Sequence, residues 1–255
     1  MEMRAAILAG GKGTRLAEET RVKSKALVPI GERPILWHLL KYYEHYGFSE
    51  FVIALGYQSE SIRQYFGELG ERRPAWVEGP CTEVYPSAEP GWTVKLVDTG
   101  QETMSGGRIK RLAPYVDQAP FMLTWCDGLA DVDLDRLRSF HQARGGLATL
   151  TAIHPPARFG RITLDGDRIT AFAEKTVDPS EWINGAFFVL DPGVFDFIAG
   201  DETQFEHEPL RGLAGAGELM AYRHDSFWQC MDTLKEAQDL NALWQLGRAP
   251  WKVWN

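Results

Sequence analysis

The sequence predicts an α/β protein, with a mixed, mostly parallel sheet and helices on both faces. Three observations predict it. Short apolar runs recur as buried-strand candidates: Ala5-Ala6-Ile7-Leu8, Phe51-Val52-Ile53-Ala54-Leu55-Gly56 and Phe121-Met122-Leu123-Thr124-Trp125. Stretches with apolar residues at helical spacing lie between them. The two kinds of segment alternate, which is the order expected of parallel strands joined by crossover helices.

Taken in order, the Ala5–Leu8 strand runs into a glycine-rich turn. Pro34 suits the first turn of a helix whose apolar residues Ile35, Leu36, Leu39, Leu40 and Tyr43 recur at helical spacing, and Gly47 ends it. The Phe51 strand follows, then a helix over Ser61 to Phe66. From Pro74 to Val94 periodicity is weak and Pro80, Pro86 and Pro90 intervene, which reads as an excursion, an oligomer arm. Met104-Ser105-Gly106-Gly107 reads as a flexible turn opening a helix. The Phe121 strand is followed by a helix over Leu134 to Ala143. After Ala148 the strands are shorter: Thr149 to Ile153, Arg161 to Leu164, Ile169 to Phe172 and Ala186 to Leu190. A last helix, Leu234 to Leu246, ends before Pro250. No repeat or clear linker divides residues 1–255, so a single unit is expected.

The composition excludes several function classes. Lys and Arg number 27 against 35 Asp and Glu, a formal charge of −8. Such a chain is a poor candidate for general binding of nucleic acid or anionic membrane, so any phosphate-binding cations must be placed locally. No run approaches a transmembrane length, and the N-terminus has no signal-peptide core. Cys81, Cys126 and Cys230 are odd in number and far apart, so neither a disulfide framework nor a zinc site is supported, and a cytoplasmic setting is expected. The histidines form no H-E-x-x-H pair.

The chemistry begins at Ala9-Gly10-Gly11-Lys12-Gly13-Thr14-Arg15-Leu16. Glycines let a backbone turn sharply and bring its N–H groups against an anion. Arg15 and Lys25 then offer charge to phosphate. The bland alternative is a surface turn with solvated charges. No Walker string is present, and the dinucleotide pattern G-x-G-x-x-G fails because Leu16 stands at the third glycine. That argues against a NAD enzyme.

The stretch resembles the signature of the sugar-phosphate nucleotidyltransferases, with its later part at Lys25-Ala26-Leu27-Val28-Pro29-Ile30-Gly31-Glu32-Arg33-Pro34-Ile35. The resemblance runs from Met3 to Trp254. It extends to Pro34-Ile35-Leu36-Trp37-His38, Leu96-Val97-Asp98-Thr99-Gly100, Met231-Asp232-Thr233 and Ala249-Pro250-Trp251-Lys252, and it is strongest toward the cytidylyltransferase branch. It implies a Rossmann-like nucleotidyltransferase fold with a nucleotide-binding half over about 1–147 and a sugar-binding half over about 148–255. It implies CTP and a sugar 1-phosphate, glucose 1-phosphate foremost, as substrates, CDP-glucose and pyrophosphate as products, Mg²⁺ as cofactor, and a homo-oligomer, hexamer or dimer.

The transfer joins two anions, so it needs cations, backbone N–H groups and a divalent metal. Mg²⁺ takes one or two carboxylates plus phosphates and water. Asp127 follows an apolar strand and precedes Gly128. Its residues alone fit a turn Asp-Gly as well as a metal ligand, and the resemblance implies the ligand. Asp232 also reads as the N-cap of the final helix, and the resemblance implies the second ligand. By resemblance, Leu8, Ala9, Gly10, Gly11, Lys12, Gly13, Thr14, Arg15, Lys25, Thr103 and Arg108 meet the nucleotide, with Lys25 and Arg15 catalytic. Cys126, Glu174, Lys175, Asn184 and Gly185 meet the sugar phosphate.

Asp131-Val132-Asp133-Leu134-Asp135 fails as a calcium loop, with Arg136 at the required Gly and Gln142 at the required Glu. It reads either as the D-x-D of a metal-dependent glycosyltransferase or as acidic capping of the Leu134 helix. The chain departs from the family pattern at Ser24, Ala26, Cys126, Thr176, Ala186 and Cys230. These changes keep the charges and alter small pocket-shaping residues. The alternatives are the same chemistry with UTP, dTTP or another sugar 1-phosphate, and a non-catalytic nucleotide-sugar binding protein.

Overall fold

A computed structural model describes residues 3–11, 13, 23–69, 75–77, 82–86, 92–116, 119–155, 160–174 and 180–254. Its first third contains β1 (Ala5–Leu8), β2 (Pro29–Ile30), β3 (Arg33–Pro34), α1 (Ile35–His45), β4 (Glu50–Leu55) and α2 (Ser59–Leu69). Next come β5 (Ala75–Val77), β6 (Thr82–Pro86), β7 (Thr93–Asp98), α3 (Ser105–Val116), β8 (Phe121–Trp125), β9 (Gly128–Ala130) and α4 (Leu134–Arg144). The last third holds β10 (Ala148–Ile153), β11 (Arg161–Asp165), β12 (Arg168–Ala173), β13 (Ile183–Leu190), α5 (Glu208–Gly215), β14 (Leu219–His224), β15 (Trp228–Cys230) and α6 (Leu234–Gln245).

The main sheet has the order β14-β10-β13-β8-β1-β4-β7-β6-β5. Strands β8, β1, β4 and β7 pair in parallel. Following the remaining pairings outward, only β13 and β6 run against the rest. The expected mixed, mostly parallel sheet is what forms. Its apolar runs are continuous because both faces are covered. In β1, Ala5 and Ile7 join one buried cluster while Ala6 and Leu8 join the other. β4 splits the same way, with Phe51, Ile53 and Leu55 on one side and Val52 and Ala54 on the other.

Three expectations are modified. The described parts of the Pro74–Val94 excursion are β5 and β6, which extend the sheet edge beyond β7, and residues 92–94, which lead into β7 itself. Of the shorter strands, β10 and β13 join the main sheet, together with β14, whereas β11 and β12 pair only with each other. That hairpin carries exposed Ile162, Leu164, Ile169 and Phe172. Gly106 and Gly107 are no flexible turn. They lie in the first turn of α3, packed so closely on the 201–203 segment that a Cβ on Gly106 would stand 2.7 Å from the Thr203 carbonyl oxygen. Among the described residues no helix is long and apolar enough to cross a membrane.

Candidate active site

In an open α/β sheet, ligands bind beyond the carboxyl ends of the strands, where the winding direction reverses. Here the chain moves from β1 to β4 and β7 on one side, then returns to β8 on the other. The crevice between β1 and β8 opens into a cleft of about 380 Å³. Leu8, Ala9, Gly10, Gly11 and Gly13, at and after the end of β1, and Trp125, Cys126 and Asp127, at and after the end of β8, line it. Ser24, Lys25, Gln101 to Ser105, Arg108 and Asp232 complete the lining.

The lysine and the two carboxylates meet although they lie far apart in sequence. The Lys25 ammonium donates to Asp127 Oδ2 at 2.7 Å and to Asp232 Oδ1 at 2.7 Å. Lys25 enters from a single 3-10 turn, Lys25–Leu27. Ser24 caps that turn by accepting from the Ala26 N–H, and its own N–H donates to the Ser61 hydroxyl. The two aspartates are brought together by a two-stranded ladder. β9 and β15 pair antiparallel with Cys230 opposite Gly128, and the Met231 N–H donates to the Asp127 carbonyl at 2.7 Å. Asp127 and Asp232 therefore sit at adjacent ends of one short ladder.

Asp232 is not the cap of α6. Thr233 is, in a full capping box with Glu236, whose carboxylate also accepts the Asp232 N–H at 2.7 Å. The Asp232 carboxylate is thus left to face Lys25. The charge balance agrees with the geometry: burial pulls the lysine down, but Asp127 and Asp232 together outweigh it and hold its pKa above the ordinary value.

Arg108 is part of the cleft lining. It is 5% exposed and donates to the carbonyls of Leu55, Gly100 and Gln101 and to the Thr99 hydroxyl, at 2.7 to 3.2 Å. Gly10 and Gly56 lie directly over it. A Cβ on either would stand 2.6 Å from the guanidinium carbon. Arg108 thus ties the ends of β4 and β7 together under the glycine turn. Thr103 also lines the cleft. Cys126 is buried there, its N–H donating to the Leu8 carbonyl. Burial pushes its thiol up to about 12, which keeps it protonated and unreactive.

Glu174, Asn184 and Gly185 are not part of this lining. Glu174 is exposed just beyond the β11–β12 hairpin. Asn184 Oδ1 accepts the Ala186 N–H at 2.8 Å, bracing Ala186 at a left-handed φ of 61°. The Trp228 indole donates to the Gly185 carbonyl at 2.7 Å, so β15, one strand of the aspartate ladder, also contacts β13. Lys12, Thr14, Arg15 and Lys175 lie outside the described residues. Asp131 and Asp133 do not form a metal pair. Asp131 accepts from the Ser226 hydroxyl, and Asp133 caps α4 by accepting the Arg136 N–H. Sequence reasoning missed Gln101, Glu102 and Trp125 in the lining and Trp228 beside it, because only the sheet topology brings them there.

The profile of the nucleotidyl transferase family matches residues 4–233. The chain belongs to that family. It is 47% identical over 257 residues to a glucose-1-phosphate cytidylyltransferase of Salmonella typhi, covering 99% of this chain and all of the relative. A glucose-1-phosphate cytidylyltransferase of Salmonella typhimurium is equally similar over the same coverage. In fold, this family member is similar to a UDP-glucose pyrophosphorylase solved with UDP-glucose, with a TM-score of 0.72 at 17% identity over 97% of this chain and all of the other.

Proposed function

We propose that the protein transfers a cytidylyl group from CTP to α-D-glucose 1-phosphate, giving CDP-glucose and pyrophosphate. The observation that carries this reading is the Lys25–Asp127–Asp232 cluster in the β1–β8 cleft. The two Salmonella relatives carry that activity in their names, at 47% identity over 99% of this chain. In the reaction, an oxygen of the sugar phosphate attacks the α-phosphorus of CTP in line. That bond forms as the bond from the α-phosphorus to the bridging β-phosphate oxygen breaks, and pyrophosphate leaves with the electron pair.

The residues fit a divalent cation. Two carboxylate oxygens already converge on one ammonium at 2.7 Å each, and Mg²⁺ needs only one or two carboxylates when phosphates and water complete its shell. Asp127 and Asp232 would hold it, and it would neutralise charge on the transferring phosphoryl group. Gly10, Gly11 and Gly13 of the glycine turn, which line the cleft, would offer backbone N–H groups to the phosphates, and Arg15 would add charge. Arg108 keeps that turn at a fixed height. Thr103 and the neighbouring loop would meet the base, and Glu174, Lys175, Asn184 and Gly185 the sugar phosphate. The nucleotide half then spans about 1–147 and the sugar half about 148–255, with Asp232 reaching back across the ladder. A reducing cytoplasm suits Cys126 and Cys230, which form no disulfide among the described residues, and the protein is read as a homo-oligomer there.

The test is a matrix of nucleoside triphosphates against sugar 1-phosphates, read by pyrophosphate release with and without Mg²⁺. CTP with glucose 1-phosphate should give the highest kcat/KM, and omission of Mg²⁺ should abolish it. Equal use of UTP would overturn the cytidylyl reading, and no release from any pair would overturn the reaction class.

A further inference from the structure

We infer that Lys25 is a built-in counter-ion that keeps the aspartate pair closed to free divalent metal, so that metal enters only with a triphosphate able to draw the ammonium away. This rests on the nucleotidyl-transfer reading and concerns how the same site is loaded.

The geometry carries it. The Lys25 ammonium lies 2.7 Å from an oxygen of each carboxylate, between the groups that would hold the metal. Its side chain is only 10% exposed, and those of Asp127 and Asp232 are 27% and 13% exposed. Two cations cannot share that position. In so sheltered a place the ion pair is little screened by solvent, so a metal must displace the ammonium as well as shed water, and Mg²⁺ dehydrates reluctantly.

A displaced ammonium needs a new anion. Buried alone, it would be costly. Within the described lining of the cleft, the other cation is Arg108, and it is already engaged by four oxygen acceptors. Lys25 is therefore the described cation that an incoming triphosphate can recruit, and the cleft that would receive it already includes Lys25. Moving the ammonium onto phosphate opens the place between the two carboxylates to a metal. Metal and nucleotide then each raise the other's affinity, as reciprocal coupling requires.

The experiment uses Mn²⁺ alone, without nucleotide or sugar, and reads bound metal by the loss of the free-ion electron paramagnetic resonance signal. Lys25→Met should bind Mn²⁺ at least tenfold more tightly than the wild type. Lys25→Met with Asp127→Asn should lose that gain. Mn²⁺ should also raise the melting temperature of Lys25→Met more than that of the wild type. If Lys25→Met folds poorly without metal, Mn²⁺ should restore its near-ultraviolet circular dichroism, and Lys25→Gln should repeat the pattern. Equal Mn²⁺ affinity in wild type and Lys25→Met, a gain that survives Asp127→Asn, or an unfolded Lys25→Met that Mn²⁺ does not rescue would each overturn the inference. Pyrophosphate release by the wild type is scored separately. Loss of CTP turnover would strike the functional reading, whereas metal titration strikes only the lysine.

Discussion

Gly10 and Gly11 look alike in sequence, and the structure separates them. A Cβ on Gly10 would stand 2.6 Å from Arg108 Cζ and 2.9 Å from its Nε, while one on Gly11 would meet nothing within 4 Å. A long side chain could often swing aside, but Arg108 is held by Leu55, Thr99, Gly100 and Gln101. Gly10→Ala must either lift the glycine turn or break those bonds. Overpacking of this kind costs about 2 kcal/mol. Gly11→Ala should stay within about 0.5 kcal/mol. Arg108→Ala leaves the Gly100 and Gln101 carbonyls without this donor and should cost about 3 kcal/mol. The Leu55 carbonyl is spared because the Thr99 N–H also donates to it, at 3.0 Å. The decisive measurement is the double variant. With the guanidinium gone, the added methyl has room, so Gly10→Ala with Arg108→Ala should be no less stable than Arg108→Ala alone. Urea unfolding of the four variants gives these differences, and the KM for CTP should rise in Gly10→Ala but hold in Gly11→Ala. Additive losses in the double variant would refute the idea that Gly10 is small because Arg108 lies beneath it.

Asp127→Asn and Asp232→Asn should each lower kcat by at least about a hundredfold through lost charge stabilisation. Asp131→Asn should turn over normally, because Asp131 bonds Ser226 away from the cluster. The reverse pattern in steady-state kinetics would return the metal to the Asp131–Asp133 stretch. His38 is fully buried, and burial lowers its pKa to about 4 from an ordinary 6.5. The folded state therefore refuses a proton that the unfolded chain accepts. Stability is complete above pH 6.5 and falls as pH drops toward 4, by about 2 kcal/mol between pH 7 and 5. His38→Gln should flatten that part of the urea-midpoint profile, and an unchanged slope would show that His38 is not its source. Ala186→Gly should raise stability by about 0.5 kcal/mol, since Ala186 holds a φ of 61° that favours glycine. Thermal unfolding that shows a loss would mean the methyl packs usefully.

What was legible follows the range of the physics. The strands β1, β4 and β8 were readable because burial on both faces writes an unbroken apolar run into a few adjacent residues. The Gly10 turn and Asp127 followed from them, since strand ends locate ligands in such sheets. The role of Asp232 was obscured by a plausible local competitor, helix capping. The Thr233-x-x-Glu236 capping box was already in the sequence and would have assigned the cap to Thr233. Gly106 and Gly107 were misread for the same reason. Glycine pairs suggest a free turn, and only the opposing 201–203 segment shows that they are needed for closeness. The β9–β15 ladder left no local trace. It is three residues long on each side, and its partners lie about a hundred positions apart.

That ladder explains why the departures from the family pattern leave the charged cluster intact. The positions of Asp127 and Asp232 are set by backbone bonds, Cys230 opposite Gly128 and the Met231 N–H on the Asp127 carbonyl. Backbone pairing does not depend on whether position 126 is glycine or cysteine, provided the thiol fits the core, where Cys126 is packed. The Lys25 turn behaves in the same way. Ser24 stands beside the lysine where the family pattern has proline, and it fixes the turn by hydrogen bonding instead of by ring closure. At Ala186 the left-handed backbone survives the loss of glycine because Asn184 Oδ1 holds its N–H. At Ser24 and at Ala186 the departure is met by a local bond that preserves the path of the chain. The Lys25–Asp127–Asp232 cluster keeps its geometry while neutral residues near it, Ser24 and Cys126 among them, differ from the family pattern.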